Sequence, residues 1–212
     1  MSGSHSGNDA VNAEIAGNNC AYCAIGGLIG ASANKIMTDV FLKNGGRPDD
    51  GSMGFVYYYE KVSGRRPNPG NKQEFQVEGI VAYLESMGCT VRRIGDISPF
   101  QLLNPSQLLT EANRLSEGTV FLVFTGEAYG GAGICTEGHW TLGQKQKGKA
   151  MFFDHQMMIV RGSVRSFWSR RKGNELSETG RTDYPVVAWG ERLEDEDGKG
   201  MLLVISKPRP LA

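Results

Sequence analysis

Apolar positions recur at helical spacing through the first half of the chain and run continuously or alternate through the second. Ala21 to Ile29 is small and apolar, and Lys35 to Leu42 carries Ile36, Val40 and Phe41 at helical spacing. Gly45, Gly46 and Pro48 then break the chain, and Met53 to Val62 reads as another short helix. Glu74 to Met87 puts Val77, Ile80, Val81 and Leu84 on one stripe, which Gly88 stops. A strand is expected over Thr90 to Ile94, and Pro105 fits the first turn of a helix running to Leu115. Beyond it, Thr119 to Thr125 (TVFLVFT) predicts a fully buried central strand. Further strands are expected at His139 to Gln146, Ala150 to Gln156, Met158 to Arg161, Val186 to Trp189 and Met201 to Ser206. A short amphipathic helix is read over Val164 to Arg171, and a solvated loop over Glu191 to Lys199. Helices first and an antiparallel sheet afterwards make an α+β architecture.

Composition narrows the function classes. Lysine plus arginine equals aspartate plus glutamate at 23 each, so the 212 residues lack the basic field that nucleic-acid binding demands. No apolar run approaches the ~20 residues of a membrane span, and no cleavable signal peptide is read at the start. Residues 1–12 read as a flexible lead-in, with MSGSHSG a vector-derived scar, and residues 13–212 as a single catalytic domain. That leaves His139 and His155 as the histidines available for chemistry. The four cysteines, at 20, 23, 89 and 135, are expected to be reduced where the protein acts, since a core of this size needs no staples.

The chemistry concentrates in two places. Gly17-Asn18-Asn19-Cys20 sets a turn-prone pair before a cysteine, and a helix follows at once. In the first turn of that helix the unsatisfied N–H groups and the macrodipole favour a thiolate, and they can also hold the oxyanion formed when it attacks a carbonyl. The second place is the pair of segments Gly138-His139-Trp140-Thr141 and Met151-Phe152-Phe153-Asp154. A hairpin centred on Gln146-Lys147 sets His139 directly opposite Asp154, where a carboxylate can orient the imidazole and stabilise its charged form. A turn centred on Lys147-Gly148 slips that register. Gln156 returns to the face of Asp154.

The blocks Asn18 to Gly30 (NNCAYCAIGGLIG), Gly138 to Trp140 (GHW) and Phe152 to Gln156 (FFDHQ) resemble the papain-fold toxin domains of bacterial polymorphic and injected toxins, some of which are glutamine deamidases. The resemblance covers these blocks only. It implies a papain-like fold and a cysteine hydrolase with Cys20 as nucleophile, His139 as base and then acid, and Asp154, or Gln156 as its substitute, as orienter. It implies an oxyanion-binding side chain at Asn19 or Asn18, with Trp140 walling the substrate cleft or shielding the His–Asp pair. It requires no cofactor. The implied substrate is a target-cell protein, reached by secretion or injection into a reducing cytosol, with a cognate immunity protein or carrier toxin as partner. Papain itself uses the second cysteine of a Cys-x-x-Cys element, which leaves Cys23 as the other nucleophile, although Cys20 lies nearer the helix start.

Two other classes compete. A peptidase or deubiquitinase-like enzyme would use the same triad. A non-catalytic module would instead hold structural zinc through Cys20, Cys23, Cys135 and His139. Gly126 to Gly138 is expected to form a mobile loop beside His139, and Tyr57-Tyr58-Tyr59 to form one packed helix face.

Overall fold

The computed structural model describes residues 20–48, 53–68, 71–97, 101–129, 134–153, 186–187 and 198–206. Helices α1 (Cys20–Ile29), α2 (Ala33–Lys43), α3 (Gly54–Ser63) and α4 (Lys72–Ser86) precede strand β1 (Thr90–Ile94) and helix α5 (Pro105–Arg114). Strands β2 (Val120–Tyr129), β3 (Ile134–Gln146), β4 (Lys149–Phe153), β5 (Val186–Val187) and β6 (Gly198–Ser206) follow. The architecture is mixed α+β, as the change of period predicts.

Local signals set the helix ends. The Ser32 side chain accepts a hydrogen bond from the Lys35 N–H at the start of α2. Asn104 and Gln107 form a reciprocal capping box at α5, with Pro105 at its first turn. Gly64, left-handed at φ 71°, ends α3.

All six strands form one sheet in the order β1-β6-β2-β3-β4-β5, and every ladder is antiparallel. The period-2 alternation of strands divides its side chains between two cores. On one face Leu122, Phe124, Trp140, Leu142, Met201, Leu203 and Ile205 pack with the buried faces of α1 to α4. Helix α1 rests on β3 and β2, α4 on β1, and α2 and α3 complete the layer. On the other face Phe121, Val123, Phe152, Leu202 and Val204 pack with Leu108 and Ala112 of α5. Each large apolar side chain fully buried this way contributes roughly 1.5–3 kcal/mol.

Several expectations change. The Gly126 to Gly138 segment is largely strand: β2 and β3 pair through Gly126↔Gly138 and Glu127↔Glu137, with a bulge before Ala128. The glycines there are accommodated because β6 pairs on the other side of β2 and supplies the second set of backbone partners. The three tyrosines of α3 do not share one face, since successive helical residues turn by about 100°. Tyr58 enters the core, Tyr59 meets Phe75 edge-on at 5.0 Å, and the Arg47 guanidinium stacks over Tyr57 at 3.6 Å. Strands β4 and β5 are described over Lys149–Phe153 and Val186–Val187, and the remainder of the strands expected over Ala150 to Gln156 and Val186 to Trp189 lies outside the described residues. The strand expected over Met158 to Arg161, the helix over Val164 to Arg171 and most of the Glu191 to Lys199 loop lie outside the described residues. Among the described residues no helix is long and apolar enough to cross a membrane.

Candidate active site

Cys20 is the first described residue of α1, which runs Cys20–Ile29. It is buried at 7% exposure, and Cys23, one turn further on, at 4%. Neither is in a disulfide. The intervening Tyr22 stacks on Phe55 with ring centroids 4.8 Å apart, which anchors this first turn to α3. The Gly-rich middle of α1 lets other backbone come close, the Gly26 carbonyl accepting from the Ala31 N–H at 2.9 Å.

His139 lies in β3, its backbone opposite Thr125 of β2. The helix opened by Cys20 packs directly on this strand. Trp140, expected to wall the cleft or to shield the His–Asp pair, lies in the core: it is 2% exposed and its ring lies 5.1 Å from that of Phe124. It joins Cys20 and Cys23 in the core under α1. Strand alternation accounts for this, since Trp140 and Leu142 carry the parity that faces the helix layer. Among the described residues the Trp140 indole N–H has no hydrogen-bond partner.

The β3–β4 register differs from the one that opposes His139 and Asp154. The ladder runs Gln146↔Lys149, Gly143↔Phe152 and Leu142↔Phe153, so the turn is Lys147-Gly148. Both turn residues have positive φ, 50° and 77°, as a two-residue hairpin of primed type requires. The described ladder ends at Leu142↔Phe153. Asp154 and Gln156 themselves, like Asn18 and Asn19, lie outside the described residues.

Three side chains hold this register. The Lys145 Nζ, 6% exposed, donates to the Asn113 and Gly148 carbonyls at 2.7 Å each. Asn113 Oδ1 accepts from the Ala150 N–H at 2.8 Å. The Glu117 carboxylate accepts from the Lys147 and Gly148 N–H groups. Gly143 adds a steric key, since a Cβ there would lie 2.2 Å from the Phe121 ring. No sequence spacing announces these contacts, because the partners stand about 30 residues apart.

The zinc alternative fits this backbone poorly. Strand β3 runs through both Cys135 and His139. At about 3.3 Å per residue that sets their Cα atoms on the order of 12 Å apart, wide for two ligands of one tetrahedral ion. Compared with known protein-family models the chain matches none, and a search of curated protein sequences likewise finds no match.

Proposed function

We propose that this protein is a papain-like cysteine amidohydrolase that deamidates glutamine in a target-cell protein. The observation that carries the proposal is the packing of α1, which opens with Cys20, on β3, the strand of His139. The backbone positions of Cys20 and His139 thereby lie on adjoining elements. Because Trp140 and Leu142 fill the sheet face under α1, the proposal requires thiolate and imidazole to meet at the rim of the sheet.

In the proposed mechanism the Cys20 thiolate attacks the carboxamide carbon, and the oxyanion is held by N–H groups of the first turn of α1 and by Asn19 or Asn18. His139 protonates the departing ammonia, then deprotonates the water that hydrolyses the thioester. Asp154 orients the imidazole, with Gln156 as the neighbouring polar partner. The products are a glutamate side chain and ammonia. The resemblance of the three sequence blocks supports a toxin or effector setting, with a carrier toxin or an immunity protein as partner.

The test is to incubate wild-type and Cys20→Ala protein with target-cell lysate and compare proteins by mass. Deamidation adds about 1 Da to an intact target, whereas a peptidase with the same acyl-enzyme chemistry yields new termini. Gln-to-Glu conversion seen only with wild type supports the proposal. New termini or released ubiquitin-like tags replace it with the peptidase alternative, and no difference between the two proteins removes catalysis by Cys20 altogether.

A further inference from the structure

Glu127 of β2 and Glu137 of β3 stand directly opposite one another in the ladder, and two positions away Thr125 stands opposite His139. Directly opposed positions share a sheet face, as do positions two apart on one strand, so Glu127, Glu137 and His139 belong to one face. It is the face of Phe121 and Val123, which α5 covers, and the reverse of the face on which α1 packs. Strand β6 contributes Gly198 opposite Glu127 and Gly200 opposite Thr125. Leu108 of α5 reaches this face at Gly200, where an added Cβ would lie 2.9 Å from its side chain. Lys199 stands opposite Gly126 and belongs to the other face.

Two carboxylates directly opposed on neighbouring strands repel and weaken the ladder. The described positions that adjoin the pair on this face are Thr125, His139, Gly198 and Gly200, and no lysine or arginine is among them. His139 instead adds a nitrogen ligand to the carboxylate oxygens. Opposed Cα atoms stand about 5 Å apart. His139 follows Glu137 by about 7 Å along the strand and lies about 7–8 Å from Glu127 on the diagonal. Those separations suit three long or ring-bearing side chains converging on one ion at bond lengths of about 2.0–2.2 Å.

We propose that Glu127, Glu137 and His139 form a zinc site, and that zinc held there reversibly inhibits the enzyme. One imidazole and two carboxylates make a mixed nitrogen and oxygen set that zinc accepts. The ion neutralises the opposed carboxylates and binds the neutral imidazole, displacing any proton it carries. It thereby removes the group that the proposed mechanism uses for proton transfer, on the face of the sheet away from α1. The inhibition rests on the proposed role of His139, while the site itself does not.

The experiment titrates the full chain with zinc chloride and reads calorimetric binding, Tm and ammonia release from a glutaminyl peptide in parallel. The expected result is one zinc per chain, a raised Tm, and activity lost as the site fills and restored by EDTA. Glu127→Gln and Glu137→Gln should each weaken zinc binding at least tenfold, the lower end of what loss of even an outer-shell partner costs, roughly 10–100-fold. Without zinc, Glu137→Gln should melt about 1–4 °C above wild type, because one of two opposed charges is gone. Cys135→Ser should bind zinc as wild type does. Zinc binding unchanged in both glutamine variants, or lost in Cys135→Ser alone, places the ion elsewhere and overturns the proposal. A lower Tm for Glu137→Gln without zinc overturns it too, since the pair is then already compensated. If the glutamates hold zinc and the saturated protein stays active, the site stands and the role of His139 as base falls. If zinc binds as expected and ammonia is never released, the site stands and the proposed function falls.

Discussion

The Glu117 carboxylate accepts a hydrogen bond from the Gly148 N–H at 3.1 Å, tying the connection after α5 to the tip of the β3–β4 hairpin. Lys145 and Asn113 reinforce the same junction. Lys145→Met leaves two carbonyls without their charged donor, at a cost of about 1–3 kcal/mol. In a chain of this size that is a fall in Tm of roughly 2–12 °C by calorimetry. Lys147→Gly should move Tm upward or leave it unchanged, since Lys147 is the one described non-glycine residue with positive φ. An unchanged Tm for Lys145→Met would show that the buried ammonium does not hold the hairpin.

The orienting role at the proposed site can be apportioned by two substitutions. Asp154→Ala should lower kcat by roughly 10²–10⁴-fold, the range expected when an imidazole loses its carboxylate. Gln156→Ala should lower it less, because a neutral amide does not stabilise the imidazolium. The reverse order would assign the orienting role to Gln156.

Trp140→Phe separates packing from chemistry. It keeps a large ring in the core and removes an indole N–H that is buried without a partner among the described residues. The loss in volume and the relief of an unsatisfied donor oppose each other, so stability should change by less than about 1.5 kcal/mol in denaturant unfolding. Trp140→Ala should cost about 3–5 kcal/mol. A large loss from the phenylalanine variant would mean that the N–H is satisfied in solution.

Alkaline pH should destabilise the helix layer through Tyr83. Burial, and then its hydrogen bond to Asp39, hold the Tyr83 phenol well above its ordinary range. Its folded-state value therefore exceeds the unfolded value of about 10, so this contribution is complete below pH ~10 and is lost as pH rises further. Stability of wild type in denaturant unfolding should fall as pH rises above about 10, and Tyr83→Phe should show a shallower decline. Equal slopes would show that Tyr83 ionises alike in both states.

The helices were the legible part of the sequence. In α4 the stripe of Val77, Ile80, Val81 and Leu84 is buried as its spacing predicts, and Asn104-Pro105 marks the start of α5. The run TVFLVFT reads as a central strand because both of its faces are covered, by different helices. The hairpin was less legible, since Gln-Lys-Gly-Lys admits two turn centres and the choice is made by Glu117, Asn113 and Lys145 through contacts distant in sequence. Trp140 misled for a related reason: an aromatic residue beside a candidate catalytic histidine fits a cleft wall and a core layer equally well until strand parity is known.

Strand β6 has a consequence for how the chain reaches this structure. Drawn from Gly198–Ser206, it lies between β1 and β2, so two strands synthesised far earlier have no direct ladder with each other. Until β6 arrives, β1 cannot join the sheet, and the apolar partners of Met201, Leu203 and Ile205 in the helix layer stay uncovered. Closure over such a long sequence separation is slow, and exposed strand edges persist during the wait. A nascent chain would therefore meet its greatest risk of association just before its last strand emerges, and a chain cut before Gly198 should aggregate rather than fold.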